Sequence, residues 1–346
     1  MGRRILVTGI RGHLAGELAR RLEADPEVER IVGIDVEEPQ PRLERTEFVR
    51  ADIRNPLVVK VLQTTEVDTL VHLNLLAAPG RAGGRGRMKE INVIGAMQLF
   101  AACRRAERLR KVVVRSTTAV YGASAKDPAV FSEGMTARAE LRGFGKDALE
   151  VEAYARTMAR RSSHLRLTVL RFANFIGPRI DSVMTRYLWL PVIPTALGYD
   201  PRLQVVHEED AVEALVRAVG EDHPGTFNVA GEGVIPLSQV VRLLGKPPVS
   251  VVPSLASPVA ALVRRLGVDF PLDQLGLLLY GRAVDTTHLA EEFGWRPERS
   301  TREALLDFIR ARRARGPVTP ERVEAWDRRI RAALGRPVGA LTGGRA

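Results

Sequence analysis

The stretch LVTGIRGHLAG at residues 6–16 constrains this chain more than any other. A buried apolar run, RILVTG (4–9), ends in glycine, and a helix with Leu14, Leu18 and Leu22 at four-residue spacing opens just beyond it. Gly9 and Gly12 let the backbone turn sharply and approach a pyrophosphate, while the helix N-terminus offers unpaired N–H groups and a positive dipole end. Arg11, His13 and Leu14 lie in the same turn. Ala15 stands where a third glycine is expected, and alanine still permits close helix–sheet packing. Asp35 ends the second strand, RIVGIDV (30–36), 26 residues after Gly9. A carboxylate there accepts both hydroxyls of an adenosine ribose and repels a 2′-phosphate, which selects NAD over NADP. Asp52 ends the third strand, TEFVRAD (46–52), within reach of an adenine amino group. The plainer reading of either acid is a solvated strand end.

Strand-like and helical stretches keep alternating after that turn. Strands are expected at 67–73, 111–117 and 167–174, and helices at 55–63, 89–108 and 145–161. The pattern predicts an α/β fold, a Rossmann-type doubly wound parallel sheet covered on both faces. Beyond residue 175 prolines break the rhythm, and the chain reads as a smaller mixed lid. We expect an NAD-binding domain over 1–174, to which 202–222 returns with a strand at 203–207 and a helix at 208–219. The substrate-binding lid is expected over 175–201 and 223–314, and a basic appendage over 315–346.

The 346 residues carry a net charge of +11, which invites a nucleic-acid partner. Residues 301–346 hold eleven arginines against five acids, however, so about half of that charge sits in one tail. Only six of the 52 basic residues are lysines, and such a bias reflects composition more than a binding stripe. No nucleic acid is expected. No apolar run approaches the ~20 residues of a membrane span, and the basic start passes straight into a strand, unlike a signal peptide. Cys103 is the single cysteine, which excludes an internal disulfide and suits a reducing, cytoplasmic compartment. The six histidines lack metal-ligand spacing, so no metal is expected. His207, Glu208, Glu209 and Asp210 form an acidic cluster that reads as a helix cap before it reads as a catalytic group.

In order along the chain, these segments resemble the extended short-chain dehydrogenase/reductase family of NAD-dependent nucleotide-sugar epimerases and dehydratases. The resemblance rests on the glycine turn, Asp35, DIR (52–54), VHLNLLA (71–77) and Asn92 in INVIGAMQL. It continues through STTAVYG (116–122), RFANFIGP (171–178), VVHEEDAVEAL (205–215), GTFNVAGEG (225–233) and DTTHLAEEFGWRP (285–297). It implies that Ile53, Leu73, Asn74, Leu75 and Asn92 join the turn residues around the cofactor. Thr117 takes the place of the catalytic Ser/Thr, and Lys146 that of the lysine that holds the nicotinamide ribose. Asn174, Arg202 and Arg282 would meet a nucleotide-sugar substrate. A homodimer built on the helices at 89–108 and 145–161 is also implied.

One departure matters. The family's acid–base is a tyrosine four residues before the lysine, and in RGFGK (142–146) that position holds Arg142. A guanidinium stays protonated and exchanges no proton near neutral pH. Three outcomes stay open: Tyr121 or Tyr154 substitutes; Arg142 binds an anionic group while Thr117 or water relays the proton; or the protein binds NAD(H) and a ligand without turnover. The expectation is an NAD-dependent epimerase/dehydratase-like oxidoreductase acting on a nucleotide sugar or similar carbonyl or alcohol compound, and the alternative is a non-catalytic NAD(H)-binding regulatory or scaffold protein.

Overall fold

The computed structural model describes residues 2–252 and 275–314. The expected basic appendage at 315–346 lies outside these residues. Seven parallel strands form the central sheet: β1 (Arg3–Thr8), β2 (Val28–Asp35), β3 (Thr46–Arg50), β4 (Thr69–His72), β5 (Lys111–Thr117), β6 (Arg166–Phe172) and β7 (Gly225–Val229). Their spatial order is β7-β6-β5-β4-β1-β2-β3. The chain runs outward from β1 to β3, then returns to lay β4 on the other flank of β1. That reversal leaves a crevice beyond the carboxyl ends of β1 and β4, where α/β sheets receive ligands.

Helices cover both faces: α1 (His13–Glu23), α2 (Leu57–Thr64), a long helix α3 over 85–103, α4 (Gly143–Arg160) and α5 (Glu208–Gly220). The strands are nearly continuous apolar runs because both faces are buried; Ile5, Leu6 and Val7 of β1 and Val112, Val113 and Val114 of β5 are all 0% exposed. In α1, Leu14, Leu18 and Leu22 are buried as the spacing requires. The third helix starts and ends earlier than the expected 89–108. Arg85 anchors its start through two bonds to the buried Asp147 of α4, at 2.5 and 2.6 Å, and a π-helical segment, Glu90–Ile94, interrupts it.

The boundary expected at 223 falls too early. β7 pairs in parallel with β6, and Val284, Leu289 and Phe293 pack into the same core as the sheet. A second core gathers Ile176, Tyr187, Leu203, Ile235, Val240 and Phe308. It is built from residues 176–205, 235–244, Leu277 and the final helix, α6 (Thr301–Ala314). The second core's chain thus leaves at 205 and resumes only after β7, at 235, and residues 284–293 pack against the sheet. The strand expected at 203–207 is split into Arg202–Leu203 and Val205–His207, each paired with a different partner.

Candidate functional site

A cleft of about 1280 Å³ runs along the carboxyl ends of the sheet. At its outer half the chain leaves β1 through Gly9, whose φ of +76° is a conformation L side chains rarely adopt. A Cβ on Gly9 would lie 3.0 Å from the Cα and N of Asn74, so glycine lets the turn sit directly on the loop after β4. The turn closes through Gly9 N–H to Ile34 O (2.9 Å) and Gly12 N–H to Gly9 O (3.0 Å). Helix α1 then starts at Gly12 with no side-chain cap, so its first N–H groups, which have no intrahelical partner, are open to a ligand. Gly9, Arg11, Gly12, His13, Leu14, Ile53, Leu73, Asn74 and Leu75 all line the cleft, together with Asp35 and Asp52.

Asp35 is fixed where β2 ends. Its Oδ2 accepts the N–H of Arg11 at 3.0 Å and its Oδ1 that of Val36 at 2.8 Å. Burial pushes its carboxyl above the usual carboxylate value, against the pull of those two N–H groups. Arg54 grips Asp52 at 3.0 and 2.6 Å and holds it below the ordinary value. A close-approach glycine turn, an uncapped helix start and a preoriented carboxylate on the next strand together fit a dinucleotide. Asn92 corrects an expectation. It is 0% exposed and lies outside the cleft lining. Its amide instead bonds Leu76 N–H at 2.8 Å and Leu76 O at 2.9 Å, which holds the cleft floor in place.

The inner half of the cleft is lined by Arg115, Thr117, Phe144, Asn174 and Phe175. Thr117 ends β5; its Oγ1 accepts Ala119 N–H at 3.2 Å, and its own proton remains to be donated. The residues expected from the other side of the site are elsewhere. Arg142 precedes α4 in extended backbone, its side chain is 78% exposed, and it pairs with Glu140 at 3.2 Å. Lys146 is also exposed and is not part of the cleft wall. Arg142 lies outside the helix, and helical geometry explains Lys146. Phe144 is the α4 residue that enters the cleft, and positions two residues away are rotated by about 200°, onto the opposite face. One turn beyond Phe144 the same face carries Ala148, 1% exposed. Phe144 lines the cleft, whereas Ala148 is buried in the core and does not. Gly145 makes this seat possible, because its Cβ would lie 2.5 Å from Ala119 O in the turn after Thr117.

Neither substitute tyrosine reaches the cleft. Tyr121 is 0% exposed. Its hydroxyl donates to Asn228 Oδ1 and accepts from Arg171 Nη1, each at 2.8 Å. Its ring stacks on Phe131 at 4.8 Å, and burial raises its pKa. Tyr154 is half-buried against the main core. Of the expected substrate residues, Asn174 lines the cleft and also a small adjoining pocket that contains Arg282. Arg282 Nε donates to Gly122 O at 2.7 Å. Arg202 is exposed and lines neither space. His207 caps α5, its Nδ1 accepting Glu209 N–H at 3.2 Å, and Asp210 binds the N–H groups of Glu298 and Arg299. The acidic cluster is therefore structural. Among the described residues no group of three or more His, Cys, Asp or Glu is placed to hold a metal, and no helix is long and apolar enough to cross a membrane.

Sequence reasoning missed Arg115 and Phe144. The signal for Phe144 was present: Phe144, Ala148, Val151 and Ala155 form an inward stripe at helical spacing, whereas Arg142 and Lys146 fall off it. Residues 5–230 match the NAD dependent epimerase/dehydratase family. An uncharacterized Mycobacterium tuberculosis protein is 42% identical over 332 residues, which cover 94% of this chain and 88% of that protein. Two solved structures share the fold, each with a TM-score of 0.70. MoeE5, in complex with UDP-glucuronic acid and NAD, is 22% identical and is matched over 90% of this chain and 100% of its own. DesIV, a dTDP-glucose 4,6-dehydratase from Streptomyces venezuelae solved with NAD, is 21% identical over 90% of this chain and 97% of its own.

Proposed function

The chain belongs to the NAD dependent epimerase/dehydratase family, and on that premise we propose that it holds NAD and a nucleotide-sugar-like ligand without using a tyrosine–lysine proton relay. NAD is the family's cofactor, and when bound it supplies a hydride acceptor and donor. The backbone at Gly9–Gly12 and the start of α1 would take its pyrophosphate, and Asp35 the adenosine ribose. Asp52 and Ile53 would border the adenine, and Leu73, Asn74 and Leu75 would form the floor. Thr117 and Asn174 would orient the second ligand, with Arg282 behind Asn174. The observation that carries the reading is Phe144. Phe144 is the α4 side chain that lines the cleft, and a phenyl ring has no proton to exchange, while Arg142 and Lys146 lie outside that lining.

A second reading, an NAD-dependent oxidoreductase with a non-standard acid–base, draws on Thr117, which lines the cleft at the end of β5. The two readings separate on product analysis. The loaded protein would be incubated with a panel of nucleotide sugars and alcohols, following nicotinamide absorbance and chromatographing the products. We expect dinucleotide binding with no product. Product that disappears in Thr117→Val would establish the oxidoreductase instead. A homodimer through α3 and α4 is supported by the apolar side chains exposed on them, Ile94, Met97 and Leu149; sedimentation at low concentration tests it, and a monomer contradicts it. The single buried Cys103, its thiol pushed up to about 12 by burial, suits the cytoplasmic compartment we assign.

A further inference from the structure

We propose that Arg115 is an anion receptor: the inner half of the cleft takes a ligand that presents a carboxylate or phosphate oxygen pair to this guanidinium. Arg115 sits on β5 two residues before Thr117, so both side chains leave the same face of the sheet, and both line the cleft. Its Nη1 donates to Leu73 O at 3.1 Å, and its guanidinium stands over the Phe175 ring at 5.1 Å. Its Nε is buried and has no hydrogen-bond partner. Among the described residues no carboxylate lies within ion-pair distance of it.

A neighbour shows how unusual this is. Arg171, on the adjacent strand, is buried, and Glu152 meets it with two bonds at 2.9 and 2.7 Å. Arg115 is half-buried, with its Nε fully enclosed, and has no such acid. Desolvation lowers its pKa to about 10, which still leaves it charged at neutral pH. A buried charge without a counterion costs several kcal/mol, and one open to a cleft finds that counterion in a ligand. Nη2 makes no bond within the protein, and with the second N–H of Nη1 it forms the guanidinium end that can meet two oxygens of a carboxylate or phosphate. The proposal rests on the dinucleotide reading in one respect only: the cofactor's pyrophosphate is already served at Gly9–Gly12, so the anion belongs to the second ligand.

The test compares wild type with Arg115→Met and Arg115→Lys, read by calorimetry and thermal melting. The probes are UDP-glucuronic acid, UDP-glucose, inorganic phosphate and NAD. We expect the unliganded Arg115→Met protein to melt at or above the wild-type temperature, because the change removes a desolvated charge and breaks no ion pair. A merely structural arginine would instead lower it. UDP-glucuronic acid or phosphate should bind wild type at least tenfold more tightly than Arg115→Met, with Arg115→Lys between. UDP-glucose, which has the diphosphate but no sugar carboxylate, should share the loss only if phosphoryl oxygens are the source. Whichever anion shows the loss names its source, sugar carboxylate or phosphoryl group. The proposal is overturned if neither anion discriminates between the proteins. It is also overturned if Arg115→Met weakens NAD tenfold while leaving both anions unaffected, since the charge then serves the cofactor and the dinucleotide reading stands. A failure of wild type to bind NAD would defeat that reading alone, because the anion titrations are also run without it.

Discussion

Replacing Gly9 with alanine should separate the cofactor turn from the rest of the fold. At φ +76° an L side chain is strained by roughly 1–2 kcal/mol. The new Cβ would also stand 3.0 Å from Asn74 Cα and N and 3.2 Å from Asn74 Cβ. Those are mostly backbone atoms, and they cannot rotate away. The loop is tied by the Asn92 amide to Leu76 and by Leu73 N–H to Thr8 O at 3.2 Å. Displacing it by a few tenths of an ångström adds about 1–2 kcal/mol. A total near 2–4 kcal/mol corresponds to a melting temperature lower by roughly 3–6 °C in a chain of this size. Because the shifted turn is the one that receives the pyrophosphate, NAD affinity should fall at least about tenfold, equivalent to ~1.4 kcal/mol. Gly198→Ala is the control. It has φ +83° and open space around its Cβ, so it carries the backbone strain alone and should keep wild-type NAD affinity. Differential scanning calorimetry and NAD titration on the three proteins give the result. If Gly9→Ala melts and binds NAD as Gly198→Ala does, the close approach to Asn74 does not shape the site.

Further outcomes follow from the same geometry. Phe144→Tyr should introduce product formation with any nucleotide sugar that binds, since acid–base groups typically supply about 10²–10⁴-fold. Arg142→Tyr should not, and a gain confined to Arg142→Tyr in parallel chromatographic assays would restore the sequence-based register. Arg142→Ala and Lys146→Ala should leave NAD affinity within about twofold of wild type, since both side chains are outside the cleft; a tenfold loss in either titration would return it to the site. Glu152→Gln should destabilise the protein by about 3–5 kcal/mol, because it leaves the buried Arg171 without a charged partner. Burial alone would push Glu152 up, but Arg171, Ser116 and Arg156 hold it below its ordinary 4.5. A depressed folded pKa contributes stability that is present above 4.5 and lost as pH falls through the folded value. Wild type should therefore lose melting temperature more steeply than Glu152→Gln below pH 4.5, and parallel pH profiles would refute the assignment.

The nucleotide-binding half was legible because its signals are local. A glycine turn, a strand-end acid and four-residue leucine spacing each concern neighbours in sequence, and Gly9, Gly12 and Asp35 line one cleft. The inner half depends on which face of α4 meets the cleft. A motif search prefers the lysine in RGFGK, whereas the fold obeys the apolar stripe through Phe144 and Ala148. Tyr121 was ambiguous for a different reason. Its partners, Asn228 and Arg171, come from strands 50 or more residues away, and only their convergence shows that its hydroxyl is already bonded. Arg115 left no trace, because a missing counterion is a property of three-dimensional neighbours. The early lid boundary has the same origin: GTFNV (225–229) looks like any short strand until β6 is seen beside it.

The account stands most directly on the carboxylate at the end of β2. Calorimetric titration of NAD into wild type and Asp35→Ala should show saturable binding in the first and at least a tenfold weaker constant in the second, because hydrogen bonds to a charged group contribute about 1.5–3 kcal/mol each. Equal affinity in the two proteins, or no binding in wild type, would contradict it.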